Sequence, residues 1–388
     1  MTKATAPGQH EDLTSNHSQK GRILELDALR GIAALGVVVY HYGAHFGSRP
    51  FDAVLYPFYN AGFFLVDFFF LLSGYVLARA YWKESRQRRI AHNVWARVAR
   101  LYPLHLLTLL ATIALLKGID PESSRAGYFL LANNDGKHFL LNLLMLNQSG
   151  LQEGWSFNTP SWSISTEFIV NIAFLLFIGV GARGRVILGV CSAVAVATAY
   201  YMAGPRLIQD DLVLGLVDTN LARCILGFGI GVSLYLGLDR LNLAHWLVAR
   251  RLSTTTLGVG CIGALVVIMI ASGRQPPAWH YLISIFIAAG CVCFVPYSTI
   301  FRNALTVKPL VYLGDISYSI YMIHYPIQIA LYAITTRYMD DSILLSPFTF
   351  FAYVAAVLSI SALTHRYLEL PAQRGFSNLV YGRRIAQS

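Results

Sequence analysis

DALRGIAALGVVVYHYGAH, residues 27–45, decides the fold: an apolar run closed off by Arg30 at one end and by His41 and His45 at the other. A run of this length suits a helix crossing a bilayer, which needs about 20 mainly apolar residues. Arg30 and His41 are eleven residues apart. At 100° per residue that is about 20° past a whole number of turns, so both side chains share one helix face, about 16 Å apart along the axis. Asp27, Arg30, His41 and His45 form a single polar stripe. A guanidinium placed below an imidazole suits a long phosphorylated donor whose reactive end reaches upward. The plainer alternative is a snorkelling Arg and a histidine hydrogen-bonded inside a bundle.

The rest of the chain agrees with a membrane setting. It has 388 residues, 55% of them hydrophobic and 13% charged, with a mean hydropathy of +0.52. Soluble domains run near 25% charged. These values exclude a disordered chain, a coiled coil or a nucleic-acid-binding module as the main identity. The five cysteines lie in apolar stretches with no CxxC and no Cys/His metal spacing, so they read as small apolar residues rather than a disulfide framework or metal site.

Ten segments are long and apolar enough to span: 29–46, 61–82, 99–117, 161–180, 185–203, 219–238, 255–272, 279–299, 310–334 and 347–367. The fold class expected is therefore all-α, a polytopic helical bundle. The piece 138–147 is too short to span and reads as an interfacial or re-entrant helix. Residues 1–21 read as a disordered cytoplasmic tail with no cleavable signal peptide. Residues 22–372 form the transmembrane domain, and 373–388 a cytoplasmic C-terminal tail. With the N-terminus inside, 21 of the 30 Lys and Arg fall on inner segments or at the inner ends of spans, 7 on outer segments or outer ends, and 2, Arg79 and Arg223, further inside spans. That bias predicts a multi-pass protein of the cell inner membrane with both termini cytoplasmic. No internal repeat or pair of broken helices gives the usual transporter signature.

Ionisable groups at membrane depth face a bundle interior or a cavity, so the remaining polar residues carry the functional information. The second span holds Asp67, Ser73, Gly74 and Tyr75 among aromatics, which points to close helix packing or a ligand wall. Arg97 and Arg100 lie three apart at a helix start. They either follow the positive-inside rule together with Lys83, Arg86, Arg88 and Arg89, or converge on a phosphate. On the fourth span Ser163, Glu167 and Asn171 share a face, with Trp162 in the interfacial belt. On the ninth, Ser317, Tyr321, His324 and Gln328 form a second polar stripe. His324 is catalytic, substrate-facing or a satisfied core histidine.

Taken together, the Arg30-x10-His41 spacing, VDFFFLLSGY (66–75), the Arg97-x2-Arg100 pair, SWSISTE (161–167), LGDISYSIYMIHYPI (313–327) and HRYLELP (365–371) resemble the acyltransferase-3 family of integral-membrane acyltransferases. The resemblance covers roughly residues 22–372. It implies a ten-helix O-acyltransferase that takes an acyl group, acetyl by default, from cytoplasmic acyl-CoA. The group goes to a hydroxyl of a glycan such as an exopolysaccharide or O-antigen. His41 matches the family's catalytic histidine. Arg30, Arg97 and Arg100 match donor-side positions, and Ser73, Gly74 and Tyr75 match a core motif counted with them.

On this reading acetyl-CoA is a co-substrate, with no permanently bound cofactor and no metal. His41 deprotonates the acceptor hydroxyl. Glu167 or Asp67 either orients His41 or grips the acceptor, and Trp162, Tyr318 and His324 are candidates for substrate binding. The partners expected are the donor, the acceptor, the lipid bilayer and polysaccharide-assembly proteins, with no nucleic acid. The competing readings are a flippase or transporter of glycan or lipid-linked intermediates, and acylation of a small acceptor such as a macrolide.

Overall fold

The stretch from Leu24 to Phe46 forms one unbroken helix, α1, in the computed structural model of the chain. The structure describes residues 22–376 apart from 84–89, 124, 132, 204–211, 214–216, 274–275 and 340. The predicted tail at 1–21, the basic loop residues Arg86, Arg88 and Arg89, and residues 377–388 lie outside the described residues. After α1 come α2 (Asp52–Ala61), α3 (Phe64–Tyr81), α4 (Ile90–Leu116), α5 (Gly136–Leu143), α6 (Ser161–Gly179) and α7 (Ala182–Ala203). The chain continues through α8 (Thr219–Arg240), α9 (Leu243–Ala249), α10 (Arg251–Ala271), α11 (Ala278–Phe294) and α12 (Thr299–Leu305). It ends with α13 (Lys308–Asp315), α14 (Ser317–Tyr338) and α15 (Pro347–Thr364), followed by a π-turn, His365–Glu369. A two-residue antiparallel ladder, Leu212–Val213 (β1) with Val217–Asp218 (β2), is a small addition to the expected all-α architecture.

Each of the ten expected spans overlaps a helix of 17–27 residues, although the one at 310–334 is divided. Seven described segments are long and apolar enough to cross a membrane by length and composition. α1, α7 and α14 fall outside that set. α1 and α14 carry the two polar stripes, which lower their hydropathy. The expected short helix at 138–147 is α5. Asp135 caps it by accepting from the His138 N–H at 2.9 Å, and those bonds hold the Asp135 carboxyl below its ordinary range.

The expected single span 310–334 is instead two helices, α13 and α14, broken at Ile316. The break follows from how closely α13 meets α1. A Cβ on Gly31 would sit 2.7 Å from the Gly314 backbone nitrogen, and one on Gly314 would overlap the Asp27 carbonyl. Only glycine permits that approach. A helix end leaves its last carbonyls without intrahelical partners, and the Gly314 carbonyl is then taken by the Arg30 and Ser317 side chains.

Within α14, Pro326 removes the N–H that would bond the Met322 carbonyl. Asn158, in the loop before α6, donates to that oxygen instead, at 3.1 Å. The far end of α1 is closed by Gly47 at φ +62° and by Arg125, which donates to the His45 carbonyl.

The largest helix interface joins α3 to α8. Cβ atoms added at Gly74 or Gly231 would run into the Phe228 and Leu71 carbonyl oxygens respectively. Around this seam Phe70, Leu71, Phe174 and Cys224 are fully or almost fully buried. Gly229, two residues from Gly231, faces open space. We expect Gly231→Ala to lower the thermal midpoint of the detergent-solubilised protein, at a cost of about 1–3 kcal/mol. Gly229→Ala should leave it unchanged or raise it, because alanine is the better helix former by about 1 kcal/mol. Equal midpoints for the two variants would mean that α8 does not pack through this face.

Candidate active site

The polar stripe of α1 begins with a network built on the α13–α14 break. The Arg30 Nε donates to Ser317 Oγ at 2.9 Å, and its Nη2 donates to the Gly314 carbonyl at 2.8 Å and lies 3.2 Å from Asp27. Asp27 also pairs with Arg22, which reaches Asp315. Arg30 is thus aimed by one carbonyl, one hydroxyl and one carboxylate, and its exposed edge lines a cavity.

That cavity, its solvent-open part included, has a volume of about 770 Å³. Arg30, Arg97 and Arg100 line it, from α1 and α4, together with Ser73 of α3, Glu167 of α6, and Tyr318 and Tyr321 of α14. Arg97 and Arg100 are half-buried. Among the described residues neither is engaged by an ion pair to a carboxylate. Three guanidiniums with spare donors around one space favour an anion with several oxygens. Ser73 donates to Glu167 Oε1 at 2.8 Å and lies 3.2 Å from Asn171 Oδ1, so α3 and α6 are cross-linked on the cavity wall. Tyr318 donates to the Leu101 carbonyl at 2.6 Å, tying α14 to α4. A second, wider space of about 3030 Å³ shares Arg30, Arg100 and Tyr318 with the first. It opens between Arg22, Lys83, Asp239 and Arg374. The π-turn borders this mouth, where buried Glu369 accepts a hydrogen bond from Ser319.

His41 is on the same wall as Arg30, as the spacing requires, but the cavity stops below it. Tyr321 forms the ceiling. Its ring packs against Phe69, with 6.1 Å between ring centres, and its hydroxyl receives a hydrogen bond from Ser163 at 2.7 Å. One turn further along α14, His324 is fully buried, its ring centre 5.0 Å from that of His41. His45, one turn further along α1, has its ring centre 5.2 Å from that of His41 and its Nδ1 bonded to Gln328 Oε1 at 2.9 Å. These imidazoles form a compact cluster, and no group of three or more His, Cys, Asp or Glu among the described residues has a metal-holding arrangement.

The structure therefore brings Arg30, Arg97, Arg100, Ser73, Glu167 and Tyr318 together around one space. It brings His41 and His324 together above that space, and turns the other candidates elsewhere. Gly74 and Tyr75 face α8, Gly74 against the Phe228 backbone and Tyr75 edge-on to Tyr235. Glu167 bonds Ser73 rather than His41.

Asp67 does not reach the imidazoles either. It forms a buried pair with Arg223 at 3.0 Å, with 1% and 6% of the two side chains exposed. Arg223 lies over Tyr281 at 4.7 Å and over Trp162 at 5.6 Å from the ring centres, so Trp162 serves as a wall of this ion pair. Sequence reasoning counted Arg223 within a span without giving it a partner. The signal was present, since a carboxylate and a guanidinium alone in two apolar helices each need an opposite charge.

Removing one member of a buried pair strands the other at a cost of about 3–5 kcal/mol. Asp67→Leu should therefore sharply lower the yield and thermal midpoint of folded protein, and adding Arg223→Leu should recover much of the loss. His41→Ala should move neither. A folded, fully stable Asp67→Leu protein would remove this pair from the scaffold.

Comparison with known proteins places the chain in a family. The family model Acyl_transf_3, described as an acyltransferase domain, matches residues 23–366. Acyltransferase MdmB of Streptomyces mycarofaciens is 35% identical over 163 residues, 40% of this chain and 39% of MdmB. Protein 2 in picA locus of Rhizobium radiobacter is 32% identical over 177 residues, 41% of this chain and 84% of that protein. O-acetyltransferase OatA of Staphylococcus aureus (strain NCTC 8325 / PS 47) is 23% identical over 384 residues, 92% of this chain and 58% of OatA. The chain thus spans less than two thirds of the length of MdmB and of OatA. No solved structure matches it. Since one family model takes in both the arginine-lined cavity and the imidazoles above it, from α1 to the π-turn, the chain belongs to the acyltransferase-3 family.

Proposed function

We propose that the protein is an inner-membrane O-acyltransferase that takes an acyl group, acetyl by default, from cytoplasmic acyl-CoA and passes it to a hydroxyl of a glycan such as an exopolysaccharide or O-antigen. The observation that carries this reading is the pairing of an arginine-lined cavity with an imidazole cluster one turn above its ceiling. The mouth between Arg22, Lys83 and Arg374 takes the donor nucleotide, and Arg30, Arg97 and Arg100 take its phosphates. The thioester arm enters the space between α3, α4, α6 and α14. Ser73 and Glu167 line that wall and offer it hydrogen bonds.

In the transfer step the acceptor oxygen attacks the thioester carbonyl carbon. His41 takes the hydroxyl proton, the C–S bond breaks, and the same proton leaves the imidazolium for the thiolate sulfur. One imidazole therefore serves as base and then acid, and no acyl-enzyme is required. The aromatic surface of Trp162 and Trp155, with 5.8 Å between ring centres, gives a sugar ring a face to lie on. A transporter reading has no use for an imidazole cluster closed off from the charged cavity.

Inverted membrane vesicles from expressing cells, given acetyl-CoA labelled in its acetyl group, should release free thiol and pass label to a membrane-associated glycan. Mass spectrometry of the surface glycans of a deletion strain should show the matching loss of acetyl groups. His41→Ala should abolish both signals with the protein still folded in the membrane. Arg97→Ala should raise the KM for acetyl-CoA about tenfold, as expected for one charge-assisted phosphate contact. Full transfer by a folded His41→Ala protein would reject the assignment.

A further inference from the structure

The hydrogen-bond polarity of the imidazole cluster is written into its geometry. His324 Nδ1 lies 2.7 Å from the Tyr321 carbonyl oxygen. A carbonyl only accepts, so Nδ1 carries the proton, and the neutral ring keeps its lone pair on Nε2. That Nε2 is buried and has no partner, in a side chain that is 0% exposed. The neighbouring His41 also has one buried ring nitrogen without a partner, its Nδ1. Unpaired buried polar atoms are costly and rare. Here one is fixed as an acceptor, and the other becomes a donor if His41 carries its proton on Nδ1. The ring centres are 5.0 Å apart, a separation that a direct N–H···N bond between two imidazoles spans once the rings turn to face each other. The other groups facing His41 leave this pairing open. His45 commits its Nδ1 to Gln328, and Tyr40 meets His41 edge-on, with 5.3 Å between ring centres.

We propose that His324 is the positioning residue of the transfer base: its Nε2 accepts the His41 Nδ1–H and so holds the lone pair of His41 on Nε2, toward the acyl acceptor. This rests on the reading of His41 as that base. A single direction of donation then runs from the acceptor hydroxyl to His41 Nε2, from His41 Nδ1 to His324 Nε2, and from His324 Nδ1 to the Tyr321 carbonyl. When His41 holds the acceptor's proton, its positive charge keeps a hydrogen-bond acceptor on the far side of the ring. His324 itself neither gains nor loses a proton over the cycle. A second imidazole thus does for His41 what a carboxylate does for the histidine of a hydrolase triad, without a buried negative charge.

The test reads the tautomer directly. Protein labelled with 15N-histidine is placed in lipid bilayers without acyl donor, and the His41 ring nitrogens are assigned by solid-state NMR from their loss in His41→Gln. In the parent, His41 should carry its proton on Nδ1. His324→Phe, which fills the volume but accepts nothing, should move that proton to Nε2. His324→Gln, with an amide oxygen in reach, should retain the parent tautomer, and the shorter His324→Asn should lose it. These last two keep the test decisive if His324→Phe fails to fold. A parent His41 protonated on Nε2, or a tautomer indifferent to residue 324, would overturn the proposal.

Because no donor is present, that outcome is separate from the transfer reading, which stands or falls on thiol release by the parent. In active vesicles His324→Phe should lower kcat about 100-fold with the KM for acetyl-CoA unchanged. His324→Gln should stay within about tenfold of the parent. A raised KM at unchanged kcat would also overturn the proposal.

Discussion

A guanidinium held in the membrane-spanning part of a protein must have its hydrogen bonds satisfied by the protein, and Arg30 shows what that requires. Its partners are the Gly314 carbonyl, the Ser317 hydroxyl and the Asp27 carboxylate. The first of these is available because the helix stops at α13, and α13 lies close enough to serve because Gly31 and Gly314 let two backbones touch. The glycines fix the approach, the break frees the oxygen, and the oxygen aims the arginine into the cavity. The same break starts α14 at Ser317, so Ser317, Tyr321 and His324 fall in successive turns beside α1. A single backbone contact thereby sets the register between the arginine end of the site and its imidazole end.

The other half of the site depends on α3, and α3 is held by α8 through the same device. Gly74 and Gly231 press against carbonyl oxygens of the facing helix, and the Asp67–Arg223 pair bonds the two helices across the seam. With one face of α3 given to α8, the opposite face presents Phe69, Ser73 and Val76 to the cavity. The serine, glycine and tyrosine of residues 73–75 thus divide by direction. Ser73 meets the cavity and Glu167, while Gly74 and Tyr75 make the packing that keeps Ser73 there.

Much of this was legible in the sequence, for a physical reason. Apolar runs of spanning length are unambiguous, and a helix turns by a constant angle. Seven of the ten expected segments are long and apolar enough to cross a membrane, and the two polar stripes, at residues 27–45 and 313–328, could be read without coordinates. The break at Ile316 was not legible, because its cause is a contact between glycines 283 residues apart. The need of Asp67 for an opposite charge was legible, but which of the cations within spans meets it was not. The spacing put Arg30 and His41 on a shared wall, but it says nothing about side chains from α3 and α14 that cross the space between them. Tyr321, recognised as part of a stripe, closes that space.

The closure by Tyr321 bears on how such a site can work. Glycine contacts between backbones leave α1, α3, α8 and α13 no slack, so helix motion is a costly way to join the cavity to the imidazoles. The ceiling is different. Tyr321 is held by a side-chain hydrogen bond from Ser163 and by the rings of Phe69 and His324. Such a bond contributes about 1 kcal/mol net, whereas forcing a packed core apart costs more for each displaced side chain. Turning the Tyr321 side chain displaces fewer groups than parting the helices. His41, His45 and His324 are not among the residues that line either space.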